Sequence, residues 1–454
     1  MRNLLQKCFK WQWLVCLAVG CCFSSCKDDE ESTSGYDPNK PIVLTDFYPN
    51  EGKLATQVIL NGSNFGNSKG DVKVFFNDKE ASVVSVKDDR MLVLAPKRAS
   101  TVDAPLCVVK VQVKDQEGQY QQKFDYHIQT TVTTLTGGTT NSSKNPTGIT
   151  SLTEAQFRAS IDKTICVDDN KNVFFIVDND NKFAIYMLNE EADMVKCVKE
   201  DFAGGFAFPV MAYHNKNNKV YQFYAGLNSY EMFYHNPEED YGLVQLGNMK
   251  FDNENFNPID GWPALSAKAC FTMGPDGKLY SRMLQGSLIR VDVDTSKAEN
   301  LTNGDYVGTK DGTSRGLVFD PNDPDVFYFS SDRHCIYKYD LRTKEWECWA
   351  GQEGKSGYLD GPIEQALFNS PGQMCVDSEG NIIFTDTENH CIRKITMSTG
   401  YVSTLAGTPQ KSGYTNGTAD NAQFKKPMGI CIDSDDVMYI GDSENRAIRR
   451  LAVE

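Results

Sequence analysis

Few side chains in this sequence have the types and spacing that a metal site or redox centre needs. The 454 residues include 5 histidines and 14 cysteines, and five of those cysteines fall within the first 26 residues. The other nine cysteines show no CxxC spacing, so they favour neither a zinc site nor a complete disulfide framework. Four of them lie in short apolar runs, as small core residues do: Cys166, Cys270, Cys375 and Cys431. The sequence therefore predicts no metal and no cofactor.

Catalytic arrangements are also weakly represented. No G-x-S-x-G segment surrounds any of the five histidines, and His334 and His390 occupy the same position in two related units, which favours a structural role over general-base catalysis. Asp178-Asn179-Asp180 begins like a calcium loop, but Lys182 occupies the fifth position, and the sixth-position glycine and twelfth-position glutamate are missing. A paired-carboxylate glycosidase stays open, because 61 acidic residues are available. We predict no catalytic residue and no enzyme activity.

Aromatic side chains beside amides and carboxylates are better represented. They are concentrated in two irregular segments, residues 225–241 and 249–265. An aromatic face stacks on the CH groups of a sugar while nearby polar side chains bind its hydroxyls. The predicted ligand-binding residues are Asn228, Tyr230, Tyr234, Phe256 and Trp262. The alternative is that these rings fill gaps in the core, because aromatic residues are usually at least partly buried.

Composition and charge limit the class of partner. Hydrophobic residues make up 40% of the chain and charged residues 24%, which is typical of a folded globular protein. With 46 basic and 61 acidic residues, the formal net charge is −15. A surface this acidic repels phosphate backbones, so nucleic-acid binding is not expected.

The N-terminus has the layout of an export signal. Residues 1–25 contain a basic start, a short apolar run and small residues before Cys26. A cysteine in that position resembles the lipobox of bacterial lipoproteins, although Cys21 is a competing cleavage site. Lys27–Glu31 resembles the acidic signal that sends lipoproteins of some polysaccharide-utilising Gram-negative bacteria to the outer face of the outer membrane. We therefore predict lipidation of Cys26, an exterior location and a flexible tether over residues 26–40.

Residues 41–128 predict an immunoglobulin-like β-sandwich. Short runs of alternating apolar and polar residues recur about every ten residues between turn residues. The G-x-N-F-G segment Gly62–Gly66, with the Leu94-Ala95-Pro96 segment that follows, resembles an IPT/TIG domain. Gly62 and Gly66 suit positions of positive φ around a buried Phe65. The resemblance implies a spacer or a protein-contact module.

Residues 130–454 contain internal repeats. Gly357–Gly361 recurs as Gly413–Gly417, and Asp386–Lys394 recurs as Asp442–Arg450, 56 residues later. These motifs resemble the NHL repeat, whose units are four-stranded propeller blades. Weaker units are found at residues 160–200, 207–248, 266–303 and 312–351. The chain is therefore predicted to be all-β, with a six-bladed propeller after the sandwich and seven blades as the alternative.

The ring is predicted to close through an N-terminal strand. The last unit stops after its third strand, and residues 131–137 resemble the fourth strand of the preceding unit, residues 401–407. Closure of this kind leaves no open sheet edge. Residues 138–152 are expected to form the loop that leads to the first blade.

This layout resembles that of surface glycan-binding lipoproteins that work beside an outer-membrane importer. The resemblance implies a lipid-anchored protein of the outer membrane that binds a polysaccharide or oligosaccharide for delivery to an uptake system. Two alternatives remain from the sequence. One is a binder of another nutrient, such as a corrinoid, or of a protein partner. The other is a propeller enzyme, either a lyase or a glycoside hydrolase.

Overall fold

The chain divides into two compact units between His127 and Ile128. The structure, a computed structural model, describes residues 35–97, 99–100, 104–138, 142–179, 182–204, 210–223, 231–248, 250–251, 268–283, 286–302, 307–308 and 314–453. Regular structure in these ranges is almost entirely β, as the alternating sequence patterns predict. None of the helices in the described ranges has the length and apolar character needed to cross a bilayer.

The first unit is an eight-stranded β-sandwich. Its strands are β1 Val43–Tyr48, β2 Glu51–Gly52, β3 Gln57–Ser63, β4 Val72–Phe76, β5 Lys79–Lys87, β6 Arg90–Leu94, β7 Leu106–Val113 and β8 Gln116–Tyr126. They pair in the order β1-β3-β6-β5-β4-β7-β8-β2, with every pair antiparallel except β2 and β8. Alternate residues along β7 are buried, which is the period-two pattern of a strand with one face in the core. The predicted all-β sandwich is confirmed.

The two glycines of the G-x-N-F-G segment have different roles. Gly66 has a φ of +71°, as predicted. Gly62 does not have positive φ; instead, a Cβ there would collide with the Val43 carbonyl oxygen and the Phe65 ring. The prediction for Gly62 was wrong, because the constraint at this position is close packing against a neighbouring strand and not backbone conformation.

The second unit is a propeller of six four-stranded antiparallel sheets within the described residues. Blade 1 consists of β11 Ile161–Val167, β12 Asn172–Asn179, β13 Lys182–Asn189 and β14 Met194–Gly204. Blade 2 consists of β15 Val210–His214, β16 Lys219–Phe223, β17 Glu231–Asn236 and β18 Gly242–Asn248. Blade 3 consists of β20 Lys268–Met273, β21 Leu279–Met283, β22 Leu288–Asp292 and β23 Lys297–Asn300. Blade 4 consists of β24 Leu317–Phe319, β25 Val326–Ser331, β26 Cys335–Asp340 and β27 Trp346–Gly351. Blade 5 consists of β29 Pro371–Val376, β30 Ile382–Asp386, β31 Cys391–Thr396 and β32 Tyr401–Ala406. Blade 6 consists of β34 Pro427–Ile432, β35 Met438–Asp442 and β36 Ala447–Val453, together with β9 Thr130–Gly137. Four two-residue strands extend the outer edges: β10 Ile149–Thr150, β19 Lys250–Phe251, β28 Gly361–Pro362 and β33 Gly417–Thr418.

The ring closes as predicted from the sequence. β9 pairs antiparallel with β36, in a register that runs from Thr130 opposite Val453 to Gly137 opposite Ala447. The first strand of the unit is therefore the fourth strand of the last blade. Gly137 has a φ of +80° and closely approaches the Arg446 carbonyl, so this position favours glycine.

Buried arginines explain the repeat motif. Arg393 has no exposed surface, and its Nη1 lies 2.8 Å from Asp386 Oδ2. Its Nη2 lies 2.6 Å from Asp360 Oδ1 and donates to the Leu359 carbonyl at 2.9 Å. Asn389 donates to the same Asp386 oxygen at 2.8 Å. The two repeated segments Gly357–Gly361 and Asp386–Lys394 thus meet at one arginine, which joins the turn before a blade to the blade itself.

The last blade repeats this arrangement with one change. Arg449 is also fully buried and lies 2.8 Å from Asp442, but Asn416 replaces the second aspartate and accepts from Nη2 at 2.8 Å. A tyrosine ring covers each guanidinium, Tyr358 over Arg393 and Tyr414 over Arg449. These repeat tyrosines therefore serve the fold.

Each blade presents its first strand to the propeller axis. β11, β15, β20, β24, β29 and β34 stand at the end of their sheets and pair on one side only. In every blade the second strand ends, and the third strand begins, at the same end of the propeller. We call this end the turn face. It is marked by the single-turn helices Thr387–Asn389 and Ser443–Asn445.

Candidate binding site

Most of the predicted sugar platform lies outside the part of the chain that the structure describes. The four residues concerned are Asn228, Tyr230, Phe256 and Trp262. The strands beside them are described: β16 ends at Phe223, β17 begins at Glu231 and β20 begins at Lys268. Antiparallel order puts these three strand ends at the turn face. Residues 224–230 therefore leave and rejoin the described strands at this face, and residues 252–267 rejoin them there.

Tyr234 is the one predicted ligand-binding residue that the structure describes. It lies in β17 and is half-buried against the hydrophobic cluster between blades 2 and 3. Its ring centroid is 6.0 Å from that of Tyr221, and Lys219 Nζ lies 4.1 Å from its centre. The ring thus contributes to packing and to a cation–π contact. Its contact with a ligand stays a prediction.

The two repeat histidines hold neighbouring blades together. His334 Nδ1 accepts from the Ser370 backbone N–H at 3.2 Å, and His390 Nδ1 accepts from that of Lys426 at 3.2 Å. Burial lowers the pKa of both imidazoles, which keeps Nδ1 available as an acceptor. These contacts favour the structural role that repeat position predicted.

A cavity of about 330 Å³ lies on the propeller axis, lined by the first strands of all six blades. We call it the axial cavity. Its walls are mainly aliphatic, aromatic and thiol side chains. Cys166, Cys375 and Cys431 are among them, each at most 8% exposed. Burial raises the pKa of all three thiols, so they are protonated core residues, as expected from their apolar runs.

Gln373 connects three blades at this cavity. Its Nε2 donates to the Ile165 carbonyl at 2.8 Å, and its Oε1 accepts from the Ile165 N–H at 3.0 Å and the Ile430 N–H at 3.1 Å. The side chain starts in blade 5 and crosses blade 6 at Gly429, where a Cβ would stand 3.3 Å from Oε1. Backbone groups on the free edges of two first strands are satisfied in this way.

Arg315 is the one charged residue among the described residues that line the axial cavity. It precedes β24 and is half-buried. Its Nε is enclosed by protein and has no hydrogen-bond partner among the described residues. Sequence reasoning missed this residue. The available signal was a departure from the repeat, since Ser314-Arg315-Gly316 matches Ser370-Pro371-Gly372 with arginine in place of proline.

A separate group of possible metal ligands lies in the sandwich unit. Among the described residues, Glu51, Asp125 and His127 place one ligand atom each within 4.8 Å of one another. His127 Nε2 is 3.7 Å from a carboxylate oxygen of each acid. All three side chains are about half exposed or more, and the contacts are those of a surface ion-pair group, which contributes little to stability.

Comparison with known families agrees with the two units. The IPT/TIG domain model matches residues 42–126, and the NHL repeat model matches residues 368–395. The chain therefore contains an IPT/TIG domain followed by an NHL-repeat propeller. Over 216 residues, 46% of its length, the chain is 27% identical to the Arabidopsis thaliana chloroplastic protein SUPPRESSOR OF QUENCHING 1. Over 140 residues, 30% of its length, it is 34% identical to chicken (Gallus gallus) NHL repeat-containing protein 2. The chain spans about a fifth of the length of these curated relatives.

Solved structures share the fold over almost the whole chain. A structural genomics protein of unknown function from Bacteroides thetaiotaomicron has a TM-score of 0.70 at 26% identity, covering 93% of this chain and 100% of that one. An auxiliary nutrient binding protein from Bacteroides ovatus has a TM-score of 0.60 at 22% identity, with the same coverage. An auxiliary nutrient binding protein from B. thetaiotaomicron has a TM-score of 0.56 at 22% identity, covering 92% of this chain and 99% of that one.

Proposed function

We propose that this protein binds an extracellular nutrient through its propeller, and that the nutrient is a polysaccharide or oligosaccharide. The observation that carries the proposal is the similarity in fold to two auxiliary nutrient binding proteins of Bacteroides, which extends over both units of the chain. A net charge of −15 is compatible with a neutral ligand such as a glycan.

The turn face is the proposed location of the glycan site. Tyr230 and Trp262 offer rings for stacking on a sugar, and Asn228 offers an amide for its hydroxyls. Residues 224–230 are bounded on both sides, and residues 252–267 on one side, by strand ends at this face. Loops at one end of a rigid ring of strands are a usual position for a binding site.

The proposed cellular location is the exterior of the outer membrane. Cys26 would carry the lipid, Lys27–Glu31 would direct export to the surface, and residues 26–40 would serve as a tether. In that position the propeller would deliver its ligand to an outer-membrane uptake system, with the IPT/TIG domain as the spacer.

The glycan site is tested with Trp262→Ala in the full chain. Affinity gels cast with host and plant polysaccharides identify a ligand, and calorimetry gives its affinity. Stacking of a ring on a planar partner contributes about 1–3 kcal/mol in the nearest calibrated case, so Trp262→Ala should weaken binding roughly 5- to 150-fold. Tyr230→Ala should act in the same direction. Trp346→Ala is the matched control, because that ring lies in β27 and is 42% exposed.

Three outcomes would contradict parts of this proposal. Unchanged affinity in Trp262→Ala would move the site away from residues 252–267. Failure to bind any polysaccharide would favour a corrinoid or a protein partner, and release of shortened sugars during incubation would show an enzyme. Melting temperatures of the variants separate lost binding from lost folding.

The location is tested independently with Cys26→Ala and with neutral replacements of Lys27–Glu31. The first variant should appear in the soluble fraction after cell lysis. The second should be protected from protease added to intact cells. Unchanged protease access in the second variant would remove the argument for surface display.

A further inference from the structure

The guanidinium of Arg315 is the feature of the axial cavity that the fold does not use. The other large polar side chain there, Gln373, has both ends of its amide satisfied by Ile165 and Ile430. The Nη atoms of the buried Arg393 and Arg449 each bind an acid and two backbone carbonyls, although the Nε atoms of both, like that of Arg315, have no hydrogen-bond partner among the described residues. Arg315 has no ion pair or hydrogen bond to a described residue, and its Nε is enclosed.

A half-buried cation without a partner is unfavourable for the folded protein. Desolvation of a charged group costs free energy unless a hydrogen-bonded counter-charge replaces the lost water. None of the described residues that line the cavity is acidic. A bound anion would supply the missing counter-charge, and a guanidinium presents parallel N–H donors that match the two oxygens of a carboxylate.

The size and walls of the cavity limit the ligand. A volume of about 330 Å³ is at the lower end of the range for small-molecule sites. Phe319, Met273 and Val376 are among its apolar lining residues. Thr164 and Thr272 also line it, whereas the hydroxyl of the lining residue Tyr213 donates to Asn218 at 2.9 Å. The cavity therefore suits a compact organic molecule with one acidic group and excludes a folded partner or a long polymer.

We propose that the axial cavity binds a small organic carboxylate, and that Arg315 binds the carboxylate group. The inference goes beyond the proposed function, because it concerns the axial cavity and Arg315 and not the side chains of Asn228, Tyr230 and Trp262. An acidic sugar would satisfy both proposals, because it is a carbohydrate and carries a carboxylate.

The test is calorimetry on the full chain with D-galacturonate and D-glucuronate as probes. The neutral parents D-galactose and D-glucose measure binding that needs no charge, and inorganic sulfate measures binding of any oxyanion. A hydrogen bond to a charged group is worth about 1.5–3 kcal/mol, so Arg315→Gln should weaken uronate binding roughly 10- to 150-fold. Arg315→Lys, which keeps the charge without the two-pronged geometry, should restore part of the affinity.

Arg333→Gln is the matched control, because Arg333 is an exposed arginine of the same blade. It should leave uronate affinity unchanged. Uronates that bind no more tightly than their neutral parents, or equally well to Arg315→Gln, would overturn the inference. Tighter binding of sulfate than of either uronate would also overturn the assignment to carboxylates. Trp262→Ala should not affect this binding, so failure of the turn-face proposal and failure of this one are distinguishable.

Discussion

Gln373 and Ile165 are 208 residues apart in the chain, yet the side-chain amide of the first makes two hydrogen bonds with the backbone of the second. The two bonds measure 2.8 and 3.0 Å, and a third, to the Ile430 N–H, measures 3.1 Å. One side chain thus joins blades 5, 6 and 1 at the propeller axis. The first and last segments of the propeller are therefore connected twice, by Gln373 at the axis and by the pairing of β9 with β36 in the outer part of blade 6.

Gln373→Leu should destabilise the propeller. The substitution removes the partners of two N–H groups and one carbonyl, and an unsatisfied buried polar group costs about 1–3 kcal/mol. We expect the free energy of unfolding to fall by about 1–3 kcal/mol in total, because water in the cavity can replace part of the lost bonding. Urea unfolding measures this. Gln245→Leu, at an exposed position in β18, is the control, and equal losses in the two variants would contradict the bridging role.

Two neighbouring residues of the closing strand β9 differ in burial. Val132 is fully buried and packs in the cluster between blades 5 and 6, whereas Thr133 is exposed. Val132→Asp buries a charge and should cost about 3 kcal/mol or more, while Thr133→Asp should change stability by less than about 0.5 kcal/mol. Thermal unfolding measures both.

Deletion of residues 130–137 is a stronger test of the same strand. It would leave β36 with unpaired N–H and C=O groups, so the propeller should unfold at a lower temperature or aggregate. Two truncated proteins are compared, one that begins at Ser151 and one that begins at Thr130. Equal melting temperatures would show that another strand closes the ring.

His235 should make the propeller sensitive to acid. The imidazole has no exposed surface, and burial lowers its pKa to about 4. Unfolded histidine titrates near 6.5, so between these values the unfolded chain binds the extra proton. Stability is therefore fully present above about pH 6.5 and is lost as the pH falls toward 4, by about 3 kcal/mol in all.

Unfolding measured at pH 7 and at pH 4.5 tests this prediction. His235→Gln should unfold with a smaller difference between the two pH values than the wild-type protein, whatever its absolute stability. His127→Gln, at a half-exposed position in the other unit, should keep the wild-type difference. A variant at His235 that keeps the full pH dependence would assign the proton uptake to another group.

Cys348 should be the most reactive described thiol. It is exposed, and a side-chain hydrogen bond with Cys335 lowers its pKa to about 7. A larger fraction of Cys348 thiols is then ionised at neutral pH, so alkylation by iodoacetamide should be faster than for an ordinary thiol of pKa 8.5. The rate should rise with pH to a half-maximum below 8.5.

Peptide mapping after brief alkylation shows which cysteines are labelled first. Cys335→Ala should move the half-maximum of Cys348 to higher pH, because it removes the thiol that donates to the thiolate. Cys375, which is buried and whose pKa is raised by burial, is the internal control and should remain unlabelled. Earlier labelling of Cys375, or no effect of Cys335→Ala, would contradict the assignment.

The sequence by itself determined the class of fold and the way in which the ring closes, and it favoured six blades with seven as the alternative. Alternation of apolar and polar residues with a period of two predicts the strands. Similarity between repeated units, such as Asp386–Lys394 and Asp442–Arg450, predicts the blades. The match of residues 131–137 to residues 401–407 identified the closing strand for the same reason. These signals need only neighbouring residues or an internal comparison.

Only the tertiary structure decided what lies on the axis. Arg315, Gln373 and Ile165 belong to three different blades, and neither spacing nor composition indicates that their side chains share one cavity. The same limit explains Gly62, whose constraint comes from the neighbouring strand that carries Val43, and Tyr234, whose ring packs against residues of the next blade. Contacts between distant segments depend on how the blades are arranged around the ring, and that arrangement is a property of the folded chain and not of any local pattern.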